Sequence, residues 1–372
     1  MRVFRRIASL VAGLLIGLFP CLPVSACTSF ILMANDGSAV YGRTMEWGTF
    51  DLNSRLVVVP RGHTFSSTMV DGRQGLSWKA RYGAVAIDAL ERDMLTDGMN
   101  EKGLVVGALY QPGFADSMAY RPQQANQSIG SVDLQAYLLT QFATVEDVAS
   151  GIRSVRVVPI PEEVIGGIAP PFHWIVSDRS GKTITIEYIK GQLQVHDNKL
   201  RIMTNSPTID WHLINLRNYV NLSPVALPNK KIEDLDFRPL GGGSGFIGLP
   251  GDFTPPSRFV RLAAFTQAAR PTLDAEGTVY EVLRILDNIN VPLGASEGAN
   301  TEAQLEGMRS STIWSSVADT DNLVYYYHTQ HDRRLRKIDL NQVDFSPRNE
   351  GLLRFPLDTV KSQDVKDVTP VN

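Results

Sequence analysis

The residue most able to do chemistry in this chain is a cysteine at an unusual place. Residues 18–47 read LFPCLPVSACTSFILMANDGSAVYGRTMEW, and Cys27 follows directly on an apolar run that ends in small residues. Upstream, Arg2, Arg5 and Arg6 precede the apolar stretch Ile7 to Phe19, Pro20 and Pro23 break it, and Val24-Ser25-Ala26 presents small side chains. This order is the pattern of a secretory signal peptide, here residues 1–26, cleaved after Ala26. Cys21 leaves with the signal, so the 346 residues that remain of 372 hold Cys27 alone and form no internal disulfide. A lone thiol in an oxidising compartment is open to oxidation and mispairing. If cleavage makes Cys27 the first residue, it carries both a thiol and a free α-amine. That amine has a reference pKa of ~7.7–8.0, against ~8.5 for the thiol and ~10.4 for a lysine. It is therefore suited to act as a base near neutral pH without burial, and nucleophile and base share one residue. Two other readings stand beside this one. Val24-Ser25-Ala26-Cys27 also resembles a lipoprotein processing site, where acylation would block thiol and amine alike. Cys27 also reads as a buried structural cysteine. A lipid anchor is usually followed by a polar tether, whereas here a strand-like segment starts at once.

Such a nucleophile needs elements to position its partners. Thr28 to Ala34 is rich in β-formers, Asn35-Asp36-Gly37 is a turn signal, and Ser38 to Arg43 returns; this spacing predicts a β-hairpin. A two-residue loop sets Cys27 opposite Glu46, and a three-residue loop sets it opposite Met45. In either register the return strand brings Arg43 to Glu46 beside Cys27, and one of Arg43 or Glu46 can lean toward it. Further strands are expected at Gly103 to Tyr110, entered through a turn at DGMNEKG, at Phe172 to Ser177, Thr183 to Tyr188, Leu193 to His196 and Leu200 to Met203. Helices are expected from caps at Thr144, Ser257 and Thr278. Strands dominate the first two hundred residues and helices concentrate later, which reads as α+β, an antiparallel sheet covered by helices. The tail 358–372 is polar and reads as frayed.

Composition narrows the class. The chain carries 36 Lys and Arg against 39 Asp and Glu, and losing the three signal arginines makes the net −6. That sign, with no basic patch interleaved with aromatics, argues against nucleic acid as a partner. No segment reaches the ~20 apolar residues of a membrane span, so no stable membrane insertion is expected. No linker divides the chain. The six histidines show no zinc-binding spacing, there is no GxSxG elbow, and GSGFIG (residues 243–248) reads as a loop because it opens no helix.

Six segments then appear in one order: CTSF, GRTMEW, DGMNEKGL, TNSPTIDW, GLPGDFTPPSRFVR and YYYHTQHDRRLRKIDL. From Cys27 to about Leu340 the chain resembles the choloylglycine hydrolase family of N-terminal nucleophile hydrolases, which holds penicillin V acylases and conjugated bile salt hydrolases. The resemblance implies a four-layer αββα sandwich, here over residues 27–357, and neither metal nor cofactor. It implies Cys27 as nucleophile with its amine as base, and Arg43 as the adjacent arginine, where a fixed cation would favour the thiolate. Asn205 in TNSP would bind the oxyanion as a neutral donor, and Arg258 in PSRF would be the second active-site arginine. Glu46 stands where the family usually has aspartate, which moves the charge by one methylene. Tyr110 stands where bile salt hydrolases typically carry asparagine and several penicillin V acylases carry tyrosine. Its N–H could serve the oxyanion hole, and its ring would narrow the pocket toward flat or slim acyl groups. Trp47 resembles the Gram-negative branch. The implied activity is an exported cysteine amidase, periplasmic or secreted, that cleaves the amide between a hydrophobic acyl group and a polar amine. Small-molecule substrates of this description are penicillin V and N-acyl homoserine lactones; conjugated bile salts are the alternative, and a non-catalytic lipoprotein tethered through Cys27 is the alternative of another class. Many relatives are tetramers, so the resemblance allows a homotetramer.

Overall fold

The hairpin at the start of the chain sets the frame. In this computed structural model residues 27–48, 52–163, 167–296 and 310–370 are described; the segment read as a signal, with Cys21, lies outside them. β1 (Thr28–Met33) and β2 (Ala39–Trp47) pair around a three-residue loop. Ala34 N donates to Ser38 O at 2.9 Å, and Gly37 closes the loop at φ 91°, the left-handed conformation such a loop needs. Thr28 faces Thr44 and Met33 faces Ala39, so one step further sets Cys27 against Met45. This register puts Cys27, Arg43, Met45 and Trp47 on one face, and Thr28, Thr44 and Glu46 on the other.

Two antiparallel sheets stack between helices. The first runs β14 (Ile202–Met203), β1, β2, β17 (Ser311–Asp319), β18 (Val324–Thr329), β19 (Arg336–Asp339). The second runs β13 (Gln192–Asp197), β12 (Thr183–Ile189), β11 (Phe172–Ser177), β8 (Val105–Tyr110), β7 (Met94–Asn100), β6 (Ala84–Ala89), β3 (Arg55–Val59), β20 (Leu353–Pro356). Small pairs β4 (Thr64–Thr68) with β5 (Gln74–Lys79), β9 (Ser128–Gly130) with β10 (Arg156–Val158), and β15 (Lys230–Ile232) with β16 (Leu235–Phe237) sit outside them. The helices are α1 (Ser131–Gln141), α2 (Val145–Gly151), α3 (Ile209–Asn215), α4 (Pro255–Ala268) and α5 (Ala275–Asp287).

Alternation along the strands sorts the layers. Phe30, Leu32 and Val40 pack against Phe259 of α4 and Val282 and Leu286 of α5. Helix α5 comes close at Gly42, where a Cβ would lie 2.4 Å from Val282 Cγ1. The opposite face, with Ile31, Tyr41 and Met45, meets Val85, Met99 and Leu109 of the second sheet. That sheet's outer face, with Val106, Trp174 and Ile186, packs on Leu134 and Leu138 of α1 and Val148 of α2. The result is the four-layer αββα sandwich.

Four local expectations change. DGMNEKG is not all turn: Asp97 to Asn100 belong to β7, and the turn begins at Asn100, whose Oδ1 accepts from Lys102 N and Leu104 N. Gly98 looks like a turn residue but marks a close approach, since a Cβ there would sit 2.6 Å from Val85 O. Helix α4 starts at Pro255 after Thr254 rather than at Ser257, because proline at the first helical position costs no bonded N–H. Helix α5 is capped by Asp274, which accepts from Gly277 N, rather than by Thr278. The polar tail has no strand or helix from Asp358 to the end of the described residues, yet it is tied down. Asp358 pairs with Arg336 at 2.7 Å and accepts from Thr329 Oγ1, and Gln363 Nε2 donates to Gln330 O. At Thr144 the cap forms as the sequence predicts, accepting from Asp147 N.

Candidate active site

Cys27 is 2 % exposed and lies between the sheets, its thiol directed to Met45 Sδ at 3.5 Å. It forms one wall of a cleft of about 530 Å³, open mouth included, lined by Met45, Trp47, Leu90, Met94, Tyr110 and Phe172 among others. The lining is apolar with few polar groups, the character of a site for a hydrophobic ligand.

Arg43 shares the thiol's face and is wholly buried. Its guanidinium fills a gap between two strands. The β7–β8 ladder ends at Asp97 opposite Gly107; beyond it, Arg43 Nη1 donates to Thr96 O and Nη2 to Ala108 O at 2.6 Å. The side chain thus bridges the two carbonyls and holds the strands apart where the cleft begins. Asp97 Oδ1 lies 3.5 Å from Nη1, and that carboxylate accepts from Tyr41, Ser316 and Tyr325. Gly107 leaves the room: a Cβ there would stand 2.4 Å from the Tyr41 hydroxyl. Burial works against the Arg43 charge, but Asp97, and behind it Tyr41 and Cys27, outweigh burial and push its pKa up. The result is a permanent cation on the thiol's side of the strand.

Asn205 follows β14 and is fixed in orientation by both ends of its amide. Nδ2 donates to Tyr110 O at 2.7 Å, and Oδ1 accepts from Arg258 Nη2 at 2.7 Å. One Nδ2 hydrogen remains for another acceptor. In an extended strand the N–H and C=O of one residue point the same way, so the Tyr110 N–H faces the edge where its carbonyl meets Asn205. Arg258 ties this donor to Cys27: Nη1 donates to Cys27 O at 2.6 Å and to Thr28 Oγ1, and Nε to Phe253 O. Burial lowers the Arg258 pKa to about 10, against the attraction of Glu46 and Cys27.

Tyr110 and Trp47 line the cleft and touch edge to face, centroids 6.0 Å apart, and Phe172 meets the other side of Tyr110 at 6.3 Å. Burial pushes the Tyr110 hydroxyl up to about 12. Glu46 lies on the opposite face of β2 from Arg43 and the thiol, within the field of Arg258. Its side chain is on the helix-facing side of β2, where Oε1 accepts from Thr312 Oγ1 at 2.6 Å. Burial raises its pKa to about 7, against Arg258 and Thr312. It is not a partner on the thiol's face.

The fold therefore sets Cys27, Trp47 and Tyr110 on the wall of one cleft, with Arg43 on the thiol's face and Asn205 and Arg258 bonded to Tyr110 and Cys27 behind it. Sequence reasoning missed Asp97 and Thr96, which hold Arg43, and Thr312, which holds Glu46. Asp97 was hidden in a turn-like DGMN, and Thr312 lies 266 residues from its partner, with no local signal. A buried thiol beside a fixed cation, with two neutral donors converging nearby, can attack a carbonyl and bind the oxyanion that forms.

Comparison with known proteins gives the family and the fold. Residues 27–359 match the linear amide C–N hydrolases of the choloylglycine hydrolase family. The chain is 32 % identical to a bile salt hydrolase/transferase of Clostridium perfringens over 85 % of this chain and 93 % of that one. It is 26 % identical to a penicillin V acylase of Pectobacterium atrosepticum over 89 % of this chain and 85 % of that one. A crystal structure of a conjugated bile acid hydrolase variant from Clostridium perfringens superposes with TM-score 0.79 at 28 % identity, covering 92 % of this chain and all of that one. A penicillin V acylase from Agrobacterium tumefaciens shares the fold with TM-score 0.70 at 23 % identity, covering 91 % of this chain and 95 % of that one.

Proposed function

The chain belongs to the choloylglycine hydrolase family of linear amide C–N hydrolases, and from that premise we propose that it is an exported cysteine amidase for slim hydrophobic acyl groups on polar amines. The observation that carries this reading is the Cys27 thiol on the wall of an apolar cleft that Trp47, Tyr110 and Phe172 narrow. Signal cleavage after Ala26 frees the α-amine, which takes the thiol proton as sulfur attacks the amide carbonyl. The C=O pair moves to oxygen, where the Asn205 Nδ2–H and the Tyr110 N–H receive it. The oxyanion collapses, the C–N bond breaks, and the α-ammonium returns its proton to the leaving amine. Water, deprotonated by the same amine, then cleaves the thioester and releases the acid. Arg43 supplies the fixed charge beside sulfur, and Arg258 keeps Cys27 and Asn205 in one geometry.

Penicillin V fits the acyl side, and N-acyl homoserine lactones fit the same description of apolar tail, amide and small polar head. Relatives named as bile salt hydrolases are the second reading, favoured by their greater identity and opposed by the Tyr110 ring. Among the described residues no helix is long and apolar enough to cross a membrane. A homotetramer belongs to the proposal, supported by Ile232, Leu235, Phe237 and Leu240, which stand exposed on and after the β15–β16 hairpin. The decisive test has two parts. Intact mass of protein recovered from a Gram-negative envelope should begin at unmodified Cys27; a diacylglyceryl and N-acyl addition would make it a lipoprotein and end the catalytic reading. Turnover of penicillin V, N-decanoyl homoserine lactone and glycocholate should then be highest for one of the first two and absent in Cys27→Ala.

A further inference from the structure

We propose that Glu187 is a positioning residue for the oxyanion hole, a buried carboxylate that holds the Asn205 loop against the end of β8. The inference rests on the amidase reading above and on a cluster which that reading does not use. Glu187 lies in β12, fully buried. Its Oε1 accepts from Gln111 Nε2 at 2.7 Å and from Ile209 N at 3.2 Å. His173 Nδ1 stands 3.3 Å from Oε1, and His196 Nε2 stands 3.6 Å from Oε2.

The two backbone-linked partners matter most. Gln111 is the residue after Tyr110, and it also donates to Pro207 O at 3.2 Å. Ile209 closes the loop that begins at Thr204 and carries Asn205. The same loop is tied at its other points: Ser206 Oγ donates to Pro112 O at 2.7 Å, and His212 Nε2 meets Asn205 O at 3.1 Å. Glu187 therefore joins the strand end that supplies the Tyr110 N–H to the loop that supplies the Asn205 amide. Burial alone would raise the Glu187 carboxyl, but His173, Gln111 and His196 overcome it and hold it below the usual range. A carboxylate suits the task, since it offers about four acceptor positions at once and makes charge-assisted bonds. Without it, Gln111 Nε2 and Ile209 N lose a buried acceptor and the two donors lose their common brace. The hydrogen bonds that Glu187 accepts come from Gln111 beside Tyr110 and from Ile209 at the end of the Asn205 loop, so its effect passes through that strand end and that loop. A misplacement of about 1 Å in such donors is enough to lower turnover by about 10²-fold.

The test compares Glu187→Gln in wild-type and Asn205→Ala backgrounds, using the mature enzyme and the best substrate of the panel above. Glu187→Gln keeps shape and one acceptor but not the charge. Its kcat should fall by at least about 10-fold with KM within about twofold, the pattern of an interaction felt in the transition state. Asn205→Ala alone should fall by ~10²–10³-fold. In that background Glu187→Gln should cost less than about threefold more, because residues acting as one unit are not additive. Gln111→Met, which cuts the tie from the other side, should repeat the pattern and stands in for Glu187→Gln if that variant does not fold. Equal losses in both backgrounds, a raised KM at constant kcat, or no loss would overturn the proposal while leaving the oxyanion role of Asn205 intact. Full activity in Asn205→Ala would instead remove the oxyanion reading, and this inference with it.

Discussion

Replacing Tyr110 with alanine tests whether its ring sets acyl width. The ring touches Trp47 and Phe172 edge to face at 6.0 and 6.3 Å, and such pairs contribute roughly 0.5–1.5 kcal/mol each. A buried aromatic truncated to alanine costs about 3–5 kcal/mol; because this ring borders an open cleft, water can fill part of the space, and a loss of about 2–3 kcal/mol in stability is expected. Specificity moves differently. A slim aromatic acyl group loses one ring contact, about 1 kcal/mol. A steroid acyl group gains room to bury two or three more methylene equivalents at ~0.8 kcal/mol each, or about 2 kcal/mol. The ratio of kcat/KM for glycocholate over penicillin V should therefore rise by about 100-fold. Tyr110→Phe keeps both ring contacts and the backbone N–H, so its ratio should stay within about threefold of the wild type. Steady-state kinetics on both substrates, with a urea melt for each variant, gives all the quantities. A ratio for Tyr110→Ala within threefold of the wild type would refute the idea that this ring selects the acyl group.

Other predictions follow from the same geometry. Arg43→Met strands the Asp97 carboxylate and two buried carbonyls, and should lower unfolding free energy by about 3–5 kcal/mol in a urea titration; an Asp97→Asn partner mutation should be far from additive with it. Gly107→Ala would push on the Tyr41 hydroxyl 2.4 Å from the new Cβ; a stability loss of about 1–3 kcal/mol together with a fall in kcat is expected, and unchanged kinetics would show that the Tyr41–Asp97 brace does not reach Cys27. Burial lowers the His328 pKa to about 4. The unfolded chain then binds a proton below pH ~6.5 that the folded one refuses, so stability is lost as pH falls from ~6.5 toward 4, by up to about 3 kcal/mol. The gap between wild type and His328→Gln in denaturant midpoint should accordingly change over that window and stay flat above it.

How much of this was legible beforehand differs from residue to residue. The α+β class, the hairpin after Cys27, the strands Phe172–Ser177 and Thr183–Ile189 and the Thr144 cap follow from local pattern and appear where expected. Helix α1 was not legible, because Val132, Leu134, Ala136 and Leu138 are buried together with Ser131 and Gln135, leaving no polar face to give a 3.6-residue rhythm. Asp97 and Gly98 resemble a turn by type. They sit in a strand because Asp97 collects three hydroxyls between the sheets and Gly98 admits a neighbouring backbone.

The sequence by itself determined where the candidate nucleophile stands, that an arginine and an acid return beside it on the next strand, and that the order of motifs is that of one hydrolase family. These are properties of neighbours in the chain, fixed by alternation and turn chemistry. Only the tertiary structure decided which of the two reaches the thiol's face. One residue of loop length sets Cys27 against Met45 rather than Glu46, and the period of two sends Arg43 inward and Glu46 to the helices. Only packing brings Arg258, 231 residues away, onto the Cys27 carbonyl, and Asn205, 95 residues away, onto Tyr110. Contacts at such separations leave no local rhythm, because they depend on how two sheets stack and not on how either strand is spelled.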